Sequence, residues 1–174
     1  MRCLLNAFAA LAVLSISCSA LSQDSAPTHQ HGPAKMIDGS VNPELIPDLT
    51  AYRLYLLAVS KPQNPTDSQK RHQAAQLGMI GIQEGDRQTI LAVLANFRSQ
   101  YESLIRTYNE IATAANARGE SADPGPLERQ IDQLTQSSHD ELRGAMTAGG
   151  WARLDARVQS EKKNMKIGAG EEGR

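Results

Sequence analysis

The chain has 174 residues, with 18 Lys+Arg against 19 Asp+Glu and only 4% aromatic residues. So even a balance lacks the broad positive field that gathers nucleic acid, and no nucleic-acid partner is expected. The length suits one domain once an export segment is set aside, and a core this poor in rings must be built from Leu, Ile, Val and Ala.

Residues 1–22 read as a signal peptide. Arg2 precedes an apolar run from Cys3 to Ile16, and the small residues Ser17-Cys18-Ser19-Ala20 follow it. A charged start, a short apolar centre and a small-residue end form a secretory signal. The run is shorter than a comfortable bilayer span. The expected location is periplasmic or secreted. Cleavage near Ala20 is preferred to lipidation at Cys18, because Ser15 stands where a lipoprotein signal places Leu. Cys3 and Cys18 are the two cysteines of the chain. A mature product would then have no disulfide, thiolate nucleophile or cysteine-held metal.

Residues 23–46 read as a flexible linker, with Pro27, Pro33, Pro43, Gly32, Gly39 and many small polar residues. Such a stretch buries too little to offset its ordering entropy. His29 and His31 stand two residues apart in it without a third ligand nearby in sequence, so they are read as solvated and assigned no metal.

The helical domain is expected over 47–167. Pro43 and Pro47 lead into a first helix that Asp48 is placed to cap and that ends near Ser60. Leu49, Tyr52, Leu56 and Val59 share one face, and Leu54, Tyr55 and Leu57 widen it. So broad an arc implies more than one packing neighbour. Thr66 and Gln69 fit a capping box, and a second helix follows from Asp67 to Ile80. Its apolar content is low, so it should be the least firmly packed.

The third helix carries the strongest signal. Ile90, Leu94, Phe97, Tyr101, Leu104, Tyr108, Ile111 and Ala115 follow steps of 4, 3, 4, 3, 4, 3, 4. This is a continuous heptad seam, and Leu91, Ile105 and Ala112 flank it. Arg98, Glu102, Arg106 and Glu110 form a ladder of alternating sign on the outer face. The helix should span Asp86 to Ala117, roughly 48 Å, and stop at Gly119. A connector from Gly119 to Pro126 turns the chain, with Asp123-Pro124 or Gly125-Pro126 starting the fourth helix. Leu127, Ile131, Leu134, Ser138, Leu142 and Ala145 line that helix. A short connector between two long amphipathic helices implies an antiparallel hairpin. Thr147 can cap a fifth helix carrying Trp151, Leu154 and Val158, and 168–174 reads as a disordered tail. No stretch alternates with period two, so no sheet is expected. The fold class is all-α, a small antiparallel helical bundle built on a long hairpin, with a flexible N-terminal segment.

No catalytic, cofactor or metal residues are assigned. Ser137-Ser138-His139-Asp140 has the residue types of a triad, but neighbours on a helix point in different directions. Asp132, Gln136, His139 and Asp140 have helical spacings, yet Gln136 stands where a bundle metal site needs Glu. His72 lies on a different helix from His139. Gly78, Gly81 and Gly85 lack the lysine and the preceding strand of a phosphate loop. Arg153, Arg157, Lys162, Lys163 and Lys166 accompany an apolar stripe of Trp151, Leu154, Val158 and Met165, as in a helix lying on an anionic membrane. Asp155 and Glu161 interrupt the basic face, so peripheral membrane contact is not favoured.

Three stretches resemble an uncharacterised family of exported, all-helical bacterial proteins. They are IDGSVNPELIPDLTAYRLYLLAVS (37–60), DRQTILAVLANFRSQYESLIRTYN (86–109) and GWARLDARVQSEKKNMKI (150–167). A looser likeness, by size, compartment and helical pattern, is to periplasmic chaperones of the Spy/CpxP kind. Their Leu-Thr-x-x-Gln signature is not reproduced, since Leu134-Thr135-Gln136-Ser137-Ser138 ends in Ser. The uncharacterised family has no assigned activity, so the resemblance carries over no catalytic residue. The export signal, the lack of a site motif and the long amphipathic hairpin lead to the expectation of a non-enzymatic envelope protein that binds other proteins or self-associates. The alternative is a small metal- or ligand-binding sensor using His29, His31 or His139.

Overall fold

The computed structural model describes residues 36–168. The expected signal peptide, Cys3, Cys18, His29, His31 and residues 169–174 lie outside them. Five helices follow one another, α1 (Asp48–Val59), α2 (Asp67–Ile80), α3 (Glu84–Asn116), α4 (Gly125–Ala145) and α5 (Ala148–Glu161). Two short strands, β1 (Met36–Asp38) and β2 (Lys166–Gly168), close them into an all-α bundle with a small clasp.

α1 is the central helix, because its apolar arc is too wide for one neighbour. Ala51, Tyr52, Tyr55, Leu56 and Val59 are all buried, and the helix packs against α2, α3, α4 and α5. The main core joins these residues to Leu77, Ile90, Leu94, Phe97, Leu142, Leu154 and Val158. Burying each such side chain contributes about 1.5–3 kcal/mol. Asp48 does not cap α1. It is the first helical residue, after Pro47, and its carboxylate instead accepts from Lys162 and from Gln159.

α2 begins with the expected reciprocal box. The Gln69 amide donates to Thr66 Oγ1 at 3.3 Å, and the Thr66 amide donates to Gln69 Oε1 at 2.8 Å. Its end is Gly81, whose φ of +66° a side chain would strain. Only Gln73, Leu77 and Ile80 are buried on it.

α3 starts two residues before the expected Asp86. Gly119, at φ +73°, lets the chain leave after it. Pro124 is the N-cap of α4, and Asp123 Oδ1 accepts from the Gly125 amide at 2.9 Å. α3 and α4 form the antiparallel hairpin. On α4, Ile131, Leu134, Thr135, Ser138 and Leu142 are buried. Met146 takes the buried place expected of Ala145, which is exposed. The helix breaks after Ala145, so the straight-helix period no longer holds there.

α5 is capped from two sides. Thr147 Oγ1 accepts from the Gly150 amide at 3.1 Å and donates to Asp86 Oδ2 at 2.6 Å, while the Thr147 amide donates to Asp86 Oδ1 at 2.7 Å. A carboxylate on α3 thus holds the start of α5. Gly150 makes this possible, because an added Cβ would overlap Asp86 Oδ2.

Two expectations are corrected at the chain ends. The linker does not extend to residue 46, and a sheet exists. β1 and β2 pair antiparallel, with Ile37 opposite Ile167 and Gly168, expected in the tail, opposite Met36. Strands of three residues are too short to show period-two alternation. After β1, Asp38 Oδ1 accepts from the Ser40 amide and hydroxyl, a one-turn 3₁₀ helix forms at Pro43–Leu45, and Ile46 enters the core at 1% exposure.

Candidate functional site

The hairpin reaches beyond the main core. The core ends on α3 at Phe97, with Tyr101 and Leu104 against it, and on α4 at Leu134. Ala115 and Ile131 are buried outside that cluster. The outer part of the hairpin is therefore helix packed on helix. Tyr101, Leu104, Ile105 and Tyr108 are only half-buried there, and Ile111 is 56% exposed. The heptad spacing set the direction of this stripe, while the number of neighbours set its burial.

A groove runs along the α3–α4 seam. Leu104 and Leu134 lie among Gln100, Ser103, Gln130, Gln133 and Ser137, and the groove has a volume of about 510 Å³. The polar residues are amides and hydroxyls, which donate and accept at once. Gln100 Nε2 donates to Asn96 Oδ1 at 2.9 Å, and the Ser137 hydroxyl donates to the Leu134 carbonyl at 2.9 Å. On the outer face, Arg98 Nε meets Glu102 Oε1 at 2.6 Å. The surface is thus apolar at its centre, amide-rich beside it and mixed in charge outside. Sequence reasoning missed the groove, since Gln100, Gln130 and Gln133 belong to no motif. Their one signal was amides flanking two facing apolar seams.

The residues weighed for chemistry are dispersed. Of the two serines in the apparent triad, Ser138 is buried at 3% exposure and faces the bundle interior, while Ser137 is exposed and donates its hydroxyl to the Leu134 carbonyl. His139 Nδ1 lies 3.0 Å from Asp140 Oδ1, and Gln136 Nε2 donates to both Asp140 oxygens at 3.0 Å. These contacts hold the Asp140 carboxyl below the ordinary range, the Gln136 hydrogen bonds most of all. Asp132 turns away to Arg53 at 3.3 Å. Among the described residues, no three of His, Cys, Asp and Glu converge as metal ligands.

His139 stands instead in an aromatic trio. It meets Tyr52 and Trp151 edge-on at 4.6 and 5.0 Å, and those two rings stack 5.8 Å apart. The Tyr52 hydroxyl donates to Asp155 Oδ1 at 2.7 Å. Burial, then that carboxylate, pushes the ionisation of Tyr52 upward. The rings fill one another's space, and the Tyr52 hydroxyl and His139 Nδ1 have polar partners, so this is packing.

The basic C-terminal cluster is also largely engaged. Arg157 pairs with Glu161, buried Lys162 with Asp48, and Lys166 with Asp38 at 2.8 Å. Leu154 and Val158, the stripe that would enter a lipid surface, are in the core. No helix among the described residues is long and apolar enough to cross a membrane. No family model, curated protein or solved structure matches this chain.

Proposed function

We propose that this is an exported, non-enzymatic helical protein that binds extended apolar segments of other, incompletely folded proteins, in the manner of a chaperone. The observation behind this reading is the groove on the α3–α4 seam, with Leu104 and Leu134 inside and Gln100, Gln130 and Gln133 beside them. An unfolded segment offers apolar side chains together with unpaired main-chain N–H and C=O groups. Half-buried Leu104, beside buried Leu134, receives the first, and primary amides pair with the second without selecting a sequence. The alternating charges outside select no particular net charge. The proposed place of action is the cell envelope, after removal of residues 1–22.

The test is light scattering of insulin while its disulfides are reduced. The described domain has no cysteine, so the reductant leaves it unchanged. The wild-type protein should delay aggregation, and Gln130→Ala/Gln133→Ala should lose most of the delay while keeping the melting temperature. Both positions are exposed helix surface, where Ala is well tolerated. A wild-type protein without effect, or a double variant as effective as wild type, would refute the proposal.

A further inference from the structure

The outer face of α3 carries its charges in a fixed order. Arg98, Glu102, Arg106 and Glu110 stand four residues apart, so they form one ridge along the helix. Tyr101 and Ile105 are half-buried beside it. The described residues that line the open cleft on this face all belong to α3 or its C-cap, Ala117. Arg98 and Glu102 pair within the helix at 2.6 Å. Arg106 and Glu110 are exposed and have no ion-pair partner among the described residues.

The order of signs is complementary to itself when the helix is turned end for end. A second copy laid antiparallel and centred on Leu104 sets Arg98 against Glu110 of the second copy, and Glu102 against Arg106 of the second copy. A two-fold axis repeats both contacts, so every charge of the two ladders is matched. A slip of four residues sets like against like. A parallel pair in register does the same, and a parallel pair staggered by four leaves charges unmatched at both ends and does not close. Ridges of residues four apart incline by about 26° to the helix axis, so two copies crossing at about 50° keep the ladders face to face.

We propose that this face of α3 binds a second copy of the same chain, antiparallel, as a weak and salt-sensitive dimer. The charge order sets orientation and register, while Tyr101 and Ile105 lend apolar area. One helix crossing another falls below the roughly 1,200 Å² of a stable interface, and exposed ion pairs add little each, so the dimer is transient. The groove on the α3–α4 seam uses none of these residues, so this inference is independent of the proposed function.

Sedimentation equilibrium of the full chain, under reducing conditions, reads the association. At high micromolar concentration and low salt the wild type should be a mixture of monomer and dimer. About 1 M NaCl shortens the screening length to about 3 Å and should weaken the dimer roughly tenfold. Arg98→Glu brings like charges together at two symmetric contacts and should also weaken it roughly tenfold, as should Glu110→Arg. Arg98→Glu/Glu110→Arg restores opposite signs across the antiparallel contact and should return to within about threefold of wild type. The two positions lie roughly 18 Å apart along one helix, so this rescue cannot arise within a chain. A wild type that stays monomeric, a dimer unmoved by salt, or a double variant no better than either single variant would overturn the inference. Should a single variant not fold, the salt response and the double variant measured against wild type decide it.

Discussion

At Asp86 a side chain on one helix decides where another begins. Its carboxylate accepts from the amide and hydroxyl of Thr147, and Gly150 leaves it room. Gly150→Ala should therefore destabilise the protein by about 1–3 kcal/mol through overpacking. Gly144→Ala, in α4 with open space around it, should stabilise by about 0.5–1 kcal/mol. Urea melts of the two variants check the pair, and equal effects would contradict the contact.

The same carboxylate predicts acid behaviour. Thr147 holds Asp86 below the ordinary 3.8, and Lys162 does the same for Asp48. Lys166, with Ser40, brings Asp38 down to about 2. A carboxylate whose folded value is depressed contributes stability that is present above its unfolded value and lost as pH falls through the folded one. The urea midpoint should thus be level above the ordinary carboxylate range and fall from there towards pH 2. Asp86→Asn should lower the midpoint at neutral pH and flatten part of the acid slope. An unchanged slope would remove Asp86 from the account.

Among the elements, α2 is held least. It buries three residues, and one of them, Gln73, is fixed by a hydrogen bond from its amide to the Val59 carbonyl at 3.0 Å. Elements with few buried apolar contacts open locally before the rest. Amides of α2 should exchange with solvent faster than those of α1 around Ala51 and Leu56. Thr66→Ala removes the capping box, worth about 0.5–2 kcal/mol, and should speed α2 exchange by roughly 2- to 30-fold. Protection of α2 equal to that of α1 would refute this. That weakness was legible in the sequence, because Ala74, Ala75, Leu77 and Ile80 are a meagre apolar face. The α3 seam was legible too, but only as a direction. Ile90, Leu94 and Phe97 are buried at 1%, 1% and 0%, whereas Ile111 on the same stripe is 56% exposed. Periodicity records which way side chains point, and the number of helices standing there is a tertiary fact. The groove was illegible for a related reason, since Gln100 and Gln130 become neighbours only when the hairpin closes.

Across the whole molecule, the two ends of the described chain are tied together. Lys166 pairs with Asp38, Lys162 reaches Asp48, and the Gly39 amide donates to the Met165 carbonyl at 2.8 Å. No local sequence signal announces such a clasp, because its halves lie at opposite ends and each is three residues long. Its tightest point is backbone on backbone. A Cβ at residue 39 would overlap the carbonyl oxygen of Lys162, which a rotamer change cannot move. Gly39→Ala should therefore open the clasp instead of adjusting within it. The hairpin should keep its fold without the clasp, since α3 and α4 pack on each other and both pack on α1. Hydrogen exchange separates the two parts. In Gly39→Ala, amides of 36–46 and 165–168 should lose protection, while those of α3 between Ile90 and Phe97 keep most of theirs. If the α3 amides lost protection to the same degree, the clasp and the bundle would be one cooperative unit. The small sheet would then be a condition of the fold and not a closure added to it.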